Sequence, residues 1–121
     1  MLLKTKFTGF FILLFFWSCT EFIEYPLANE SVDLVAPTDN ISTKDSILNF
    51  WWEKHPDAKS YRFQLVSPNF DKIEKAYIDS ISNKTQISVK LRPGKYSWRV
   101  RPENMDNIGI YQTRYFEIKA Q

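Results

Sequence analysis

From Ser31 to Gln121, apolar and polar residues alternate in short bursts separated by turn-forming residues, and no stretch sustains the 3.6-residue period of a helix. The alternation predicts strands over 32–35, 47–53, 60–66, 75–81, 86–91, 95–101 and 115–119. Period two assigns their faces. Leu48, Phe50 and Trp52 fall on one side of their strand, Tyr61, Phe63 and Leu65 on one side of the next. Ile87, Val89 and Leu91, then Tyr96, Trp98 and Val100, then Phe116 and Ile118 repeat the pattern, and together these sets predict one core. Seven short strands separated by turn signals argue for an all-β fold, a seven-stranded antiparallel β-sandwich over 31–121. Pro37, Pro56, Pro68, Pro93 and Pro102 fall between the strands or at their ends, where a missing amide proton costs no ladder bond. Pro93-Gly94 is the clearest turn.

The first eighteen residues follow a different pattern. Lys4 and Lys6 precede an apolar run from Phe7 to Trp17, broken only by Thr8 and Gly9. This is the charged start and short apolar stretch of a secretory signal. A membrane-spanning helix needs about 20 apolar residues, more than this run supplies. The alternative is an uncleaved signal anchor.

Phe16-Trp17-Ser18-Cys19 resembles a bacterial lipobox, in which a small residue precedes a cysteine that becomes thioether-linked to diacylglycerol. Trp17 departs from the family pattern, which prefers a smaller residue there. The resemblance implies cleavage after residue 18 and a lipidated, palmitate-type anchor on Cys19, with residues 19–30 as a tether. Two or more acyl chains hold a protein stably on a bilayer, each buried methylene contributing about 0.8 kcal/mol. The single cysteine of the chain is then consumed as an anchor, and no thiol is left for an internal disulfide. The implied location is the outer-membrane surface or periplasmic face of a Gram-negative-type cell envelope.

Two further stretches, FWWEKHPDAKSYRFQLV and LRPGKYSWRVRPEN, resemble the fibronectin type III superfamily of immunoglobulin-like sandwiches over about Ser31 to Gln121. The resemblance implies that Trp52 is the core tryptophan of the second strand. It also implies that Tyr96 is a corner tyrosine whose hydroxyl bonds back to the backbone. The wording WRVR and YRFQLVSPNF is similar to small domains of bacterial outer-membrane lipoproteins, some of them near glycan-uptake systems.

Composition narrows the function classes. The 121 residues, 44% of them hydrophobic, provide one core and leave no room for a second domain. The 16 basic and 14 acidic residues give +2, but Lys4 and Lys6 belong to the signal, so a chain starting at Cys19 carries 14 minus 14, which is zero. Nucleic acid is therefore not an expected partner, because its binding depends on a clustered basic surface. His55 is the only histidine and stands beside Pro56, so neither a multi-histidine metal site nor a nucleophile–histidine pair with spares is expected. The aspartates carry no calcium-loop spacing, phosphate-cradling glycine loops are missing from the sequence, and neither cofactor, metal nor catalysis is expected.

Binding chemistry is expected of outward residues. Trp51 points away from Trp52 on a regular strand, free to stack on a sugar ring or anchor a protein. The alternatives are that Phe22, Ile23 or Tyr25 of the tether covers it, or that a bulge turns both indoles inward. Arg62, Gln64, Arg99 and Arg101 alternate with core residues and share one outer face, with Glu117 as a neighbour. That face either grips carboxylates through guanidinium forks or is a solvated sheet finished by cross-strand pairs. Tyr111, with Asn104, Asn107 and Phe70, adds loop candidates. Two functions stay open: a non-catalytic binding module for glycan or protein, and a structural accessory or spacer of an outer-membrane complex with no soluble ligand.

Overall fold

Alternation sorts the side chains onto two faces in the computed structural model, which describes residues 27–105 and 107–121. Among the described residues nine strands form: β1 (Leu34–Ala36), β2 (Ile41–Thr43), β3 (Ile47–Trp52), β4 (Ser60–Pro68), β5 (Ile73–Ser82), β6 (Gln86–Lys90), β7 (Gly94–Asn104), β8 (Asn107–Ile108) and β9 (Gln112–Ile118). All seven expected strands are present, β4, β5, β7 and β9 longer than expected, and β2 and β8 are additional. A three-stranded sheet runs β1-β3-β6, and a six-stranded sheet runs β2-β9-β7-β4-β5 with β8 paired to β7. Pairing is antiparallel except that β2 lies parallel to β9, Ile41 opposite Phe116. The chain thus changes sheets between β1 and β2.

The buried sets meet between the sheets. Phe50, Trp52, Leu65, Trp98 and Val100 are fully buried, with Tyr61, Phe63, Tyr96, Phe116 and Ile118 nearly so. Phe50 places its ring centroid 5.1 Å from Trp98, 5.3 Å from Phe63 and 5.6 Å from Phe116, so one side chain of the smaller sheet touches three strands of the larger. Edge-on pairs of this kind contribute about 0.5–1.5 kcal/mol beyond their area burial. Val66 is buried although alternation turns it outward: the β4–β7 register runs unbroken to set it opposite Ser97, itself buried, and it stands apart from the core cluster between the sheets.

Two local devices fix the ends. At the turn before β7 the Tyr96 hydroxyl donates to the Arg92 carbonyl at 2.6 Å, the backbone bond implied for a corner tyrosine. At the other end, the last part of the expected tether is docked on the sandwich. Leu27 is fully buried, Glu30 N–H donates to the Leu27 carbonyl at 2.9 Å, and Ile110 N–H donates to the Glu30 carbonyl at 2.8 Å. Asp57 N–H donates to His55 Nδ1 at 3.1 Å, which leaves the neutral ring's proton on Nε2, facing Glu30 Oε1 at 2.9 Å. The histidine is thus a buried strut between a loop and the amino-terminal segment. The remainder of residues 1–26, including the expected signal and Cys19, lies outside the described residues.

Two predictions follow from these ends. A Cβ added at Gly109 would stand 2.5 Å from the Glu30 carbonyl oxygen and 2.6 Å from Pro102 Cγ. Gly109→Ala should therefore lower stability by about 1–3 kcal/mol through overpacking, read as an earlier thermal melt. An unchanged melt would mean that the segment is not held against Gly109. Burial, helped by the neighbouring Tyr77 hydroxyl, pushes the Tyr96 phenol up to about 12 from its ordinary 10. A raised acid pKa stabilises the fold below pH 10, and that contribution disappears as pH climbs from 10 through 12. Tyr96→Phe should be less stable at pH 8 by about 1 kcal/mol for the lost bond, and its stability should fall less between pH 10 and 12. Parallel pH profiles for the two proteins would count against a buried phenol.

Candidate functional site

Because Phe63 and Leu65 of β4 and Trp98 and Val100 of β7 point into the core, Arg62, Gln64, Arg99 and Arg101 point out together. The β4–β7 register sets Arg62 opposite Arg101 and Gln64 opposite Arg99. Like charges directly across a strand pair repel. Glu103, two residues along β7, relieves that repulsion: its Oε2 accepts from Arg101 Nε at 3.0 Å and from Arg62 Nε at 3.3 Å. On the other flank Asp79 Oδ1 accepts from Arg62 Nη1 at 2.8 Å and from Gln64 Nε2 at 3.1 Å. These bonds, the Gln64 amide first and then Arg62, hold the Asp79 carboxyl below its ordinary value.

Gln64 closes the chain of contacts. Its Oε1 accepts from Arg99 Nε at 2.7 Å. The Arg99 guanidinium carbon lies 4.0 Å from the Phe70 ring centroid and 4.1 Å from that of Tyr111, and Arg101 lies 4.8 Å from Tyr111. Aromatic faces attract guanidinium cations at these separations. Burial raises the Tyr111 phenol, with Arg101 and Arg99 pulling it back down. Three arginines face two carboxylates, a net of +1. Arg62 and Arg101 have carboxylate partners; Arg99 has none among the described residues, and neither of its terminal nitrogens donates a hydrogen bond there.

The remaining candidates scatter. Glu117 does not join the arginines: the β7–β9 register sets it opposite Lys95, whereas Arg99 faces Thr113. Four residues of strand separate the two positions, about 13 Å. Asn104 and Asn107, expected in loops, lie in β7 and β8; Asn104 is buried and donates to the Asp57 carbonyl at 2.8 Å, tying the end of β7 to the loop before β4. Trp51 is 40% exposed on the outer face of the three-stranded sheet, opposite Ala36 and Gln86, and so lies across the sandwich from the arginines. On that face its companions Ile47 and Asn49 are not aromatic, so no aromatic patch forms around it among the described residues. The tether residues expected to cover it lie outside the described residues.

Sequence reasoning missed Glu103 and Asp79. Glu103 was reachable by continuing the Arg99, Arg101 alternation one step; Asp79 depended on the β4–β5 register. Two surface hollows, of about 280 and 480 Å³, are lined by Tyr115, Pro68 and Asn40 and by Asp39, Gln112 and Arg114 respectively, and neither includes the arginine face. The arginine face is the outer surface of the paired strands β4 and β7. Among the described residues no group of three His, Cys, Asp or Glu side chains is placed to hold a metal ion.

The sandwich matches solved structures across most of its length. Fibronectin(III)-like modules of CbhA from Clostridium thermocellum superpose with a TM-score of 0.54 at 14% identity, over 74% of this chain and 99% of theirs. The fibronectin type-III domain of human fibronectin type III domain containing protein 3 gives 0.53 at 16% identity, over 81% of this chain and 93% of that one. The structure of FN3tt mut gives 0.50 at 21% identity, covering 74% and 92%. The fold is that of a fibronectin type III domain. No protein-family model matches the chain. No curated protein matches it either.

Proposed function

We propose that the chain is a lipid-anchored cell-envelope protein whose fibronectin type III-like domain is a non-catalytic binding module, and that the outer face of the six-stranded sheet is its recognition surface. The observation that carries the choice of face is Arg99, positioned by Gln64, Phe70 and Tyr111 yet without a carboxylate partner among the described residues. A cation fixed in this way has already lost its side-chain freedom and needs only a ligand. Trp51, on the other sheet, has no such support from its neighbours among the described residues. The anchor is supported by the Lys4/Lys6 start, the apolar run and Ser18-Cys19.

A second reading, a structural accessory of an envelope complex, draws on β5. That strand forms one edge of the six-stranded sheet, and Ile73 and Ile81 on it are 50% and 53% exposed. Unpaired edges of this kind accept a strand from another chain.

Expression of the full chain in a Gram-negative bacterium with radiolabelled palmitate tests the anchor. Label should enter the wild-type protein, and Cys19→Ser should abolish both labelling and retention in the membrane fraction. Unlabelled wild-type protein, or a processed Cys19→Ser protein that stays with the membrane, would remove lipidation from the account. Protease added to intact cells, with a periplasmic marker intact, then reports which side the domain faces.

A further inference from the structure

Building on the binding-module reading above, we propose that Arg99 and its flanking rings form a carboxylate fork for an acidic polysaccharide, a chain of sugar acids of the uronate type. The geometry restricts how the guanidinium can be approached. Its Nε is engaged by Gln64, and the Phe70 and Tyr111 ring centroids stand about equally close to its central carbon. What remains for a ligand is the end carrying Nη1 and Nη2. Two parallel N–H donors at that end match the two oxygens of a carboxylate. Rings that hold the cation also keep it from turning toward Glu103, which already serves Arg62 and Arg101.

The charge balance selects the kind of anion. Arg62, Arg99 and Arg101 against Asp79 and Glu103 leave a single positive charge, which one carboxylate neutralises and a doubly charged phosphate would overfill. The surroundings select the kind of molecule. By register Arg99 adjoins Gln64 and Thr113, with Arg101 two residues along, and Asp79 accepts hydrogen bonds beside Gln64. Donors and acceptors mixed in this way suit sugar hydroxyls. A protein partner would seek an apolar centre in its interface. Among the described residues the exposed large apolar side chains that the register places on that face are Ile81, beside Arg62, Ile108, opposite Glu103, and Tyr115, opposite Ser97, and none of them lies directly across from Arg99. The outer surface of a sheet also accommodates a polymer running across it, whereas a hollow would favour a chain end.

The test uses the full chain purified in mild detergent, with polygalacturonate, alginate and hyaluronate as probes, methyl-esterified polygalacturonate and neutral dextran as controls, and retardation in affinity gels as the readout. Retention by at least one acidic polymer is expected, with retention by the ester at least tenfold weaker than by its parent acid. Arg99→Lys keeps the charge but loses the fork and should weaken retention at least tenfold, with an unchanged melting curve confirming that the domain is folded. Lys95→Gln, on the same strand but away from the rings, should bind as the wild type does. Equal retention by acid and ester would overturn the carboxylate fork and leave the binding module standing. Wild-type retention by Arg99→Lys would show unspecific charge attraction and also overturn it, as would a loss from Lys95→Gln as large as that from Arg99→Lys, which would place binding away from the rings. Retention by no polymer at all would overturn both the fork and glycan recognition, and binding of an acidic peptide in that case would shift the face to a protein partner.

Discussion

Phe50 is where the two sheets become one domain. Its ring meets Phe63, Trp98 and Phe116 from three strands of the opposite sheet, and Trp52 stacks on Phe63 beside it at 5.7 Å. Everything outside that contact inherits its register. With Phe63 and Trp98 committed inward, period two leaves Arg62, Gln64, Arg99 and Arg101 no choice of face. The aromatic core also carries a cost. The indole N–H groups of Trp52 and Trp98 are buried and find no partner among the described residues. Each unmade bond costs about 1–3 kcal/mol, a penalty that the burial of two large rings offsets.

How far the sequence could be read follows from the range of the interactions involved. Long alternating runs such as Ser60 to Val66 identify themselves locally, and the core sets they define are the ones found buried. The Tyr96 corner was legible through family resemblance, because the hydroxyl and its acceptor lie four residues apart. β2 was not, since three residues show no period and its stability comes from β9, far along the chain. β8 is two residues that pair with β7 across residues 105 and 106, and Met105 takes a positive φ of 46° that nothing in its residue type announces. Asp79 escaped for the same reason of distance, and Glu117 was misplaced because facing outward does not specify position along a strand. Phe70 was only a loop candidate until its ring was found over Arg99.

The docked segment from Leu27 to Glu30 changes the picture of the tether. On the proposed anchor at Cys19, only eight residues lead to Leu27, a reach of about 29 Å at full extension. Leu27 is buried and Glu30 is pinned at Ile110 and His55, so the free tether would be shorter than a count to Ser31 suggests. A domain held so near the bilayer would meet polymers or proteins lying along the membrane. A broad sheet face suits such partners better than a loop tip does.

The claim on which the functional account turns is that recognition happens on the arginine face. The most direct measurement is the NMR signal of the arginine Nε–H groups during titration with polygalacturonate, resolved for all five arginines of the chain. Arg114, whose guanidinium is occupied by the carbonyls of Leu34, Val35 and Pro37, serves as the internal control. The account predicts that Arg99 shifts most and Arg101 next, with Arg114 and the Trp51 indole unmoved. A shift centred on Trp51, or an equal shift at every arginine, would contradict it.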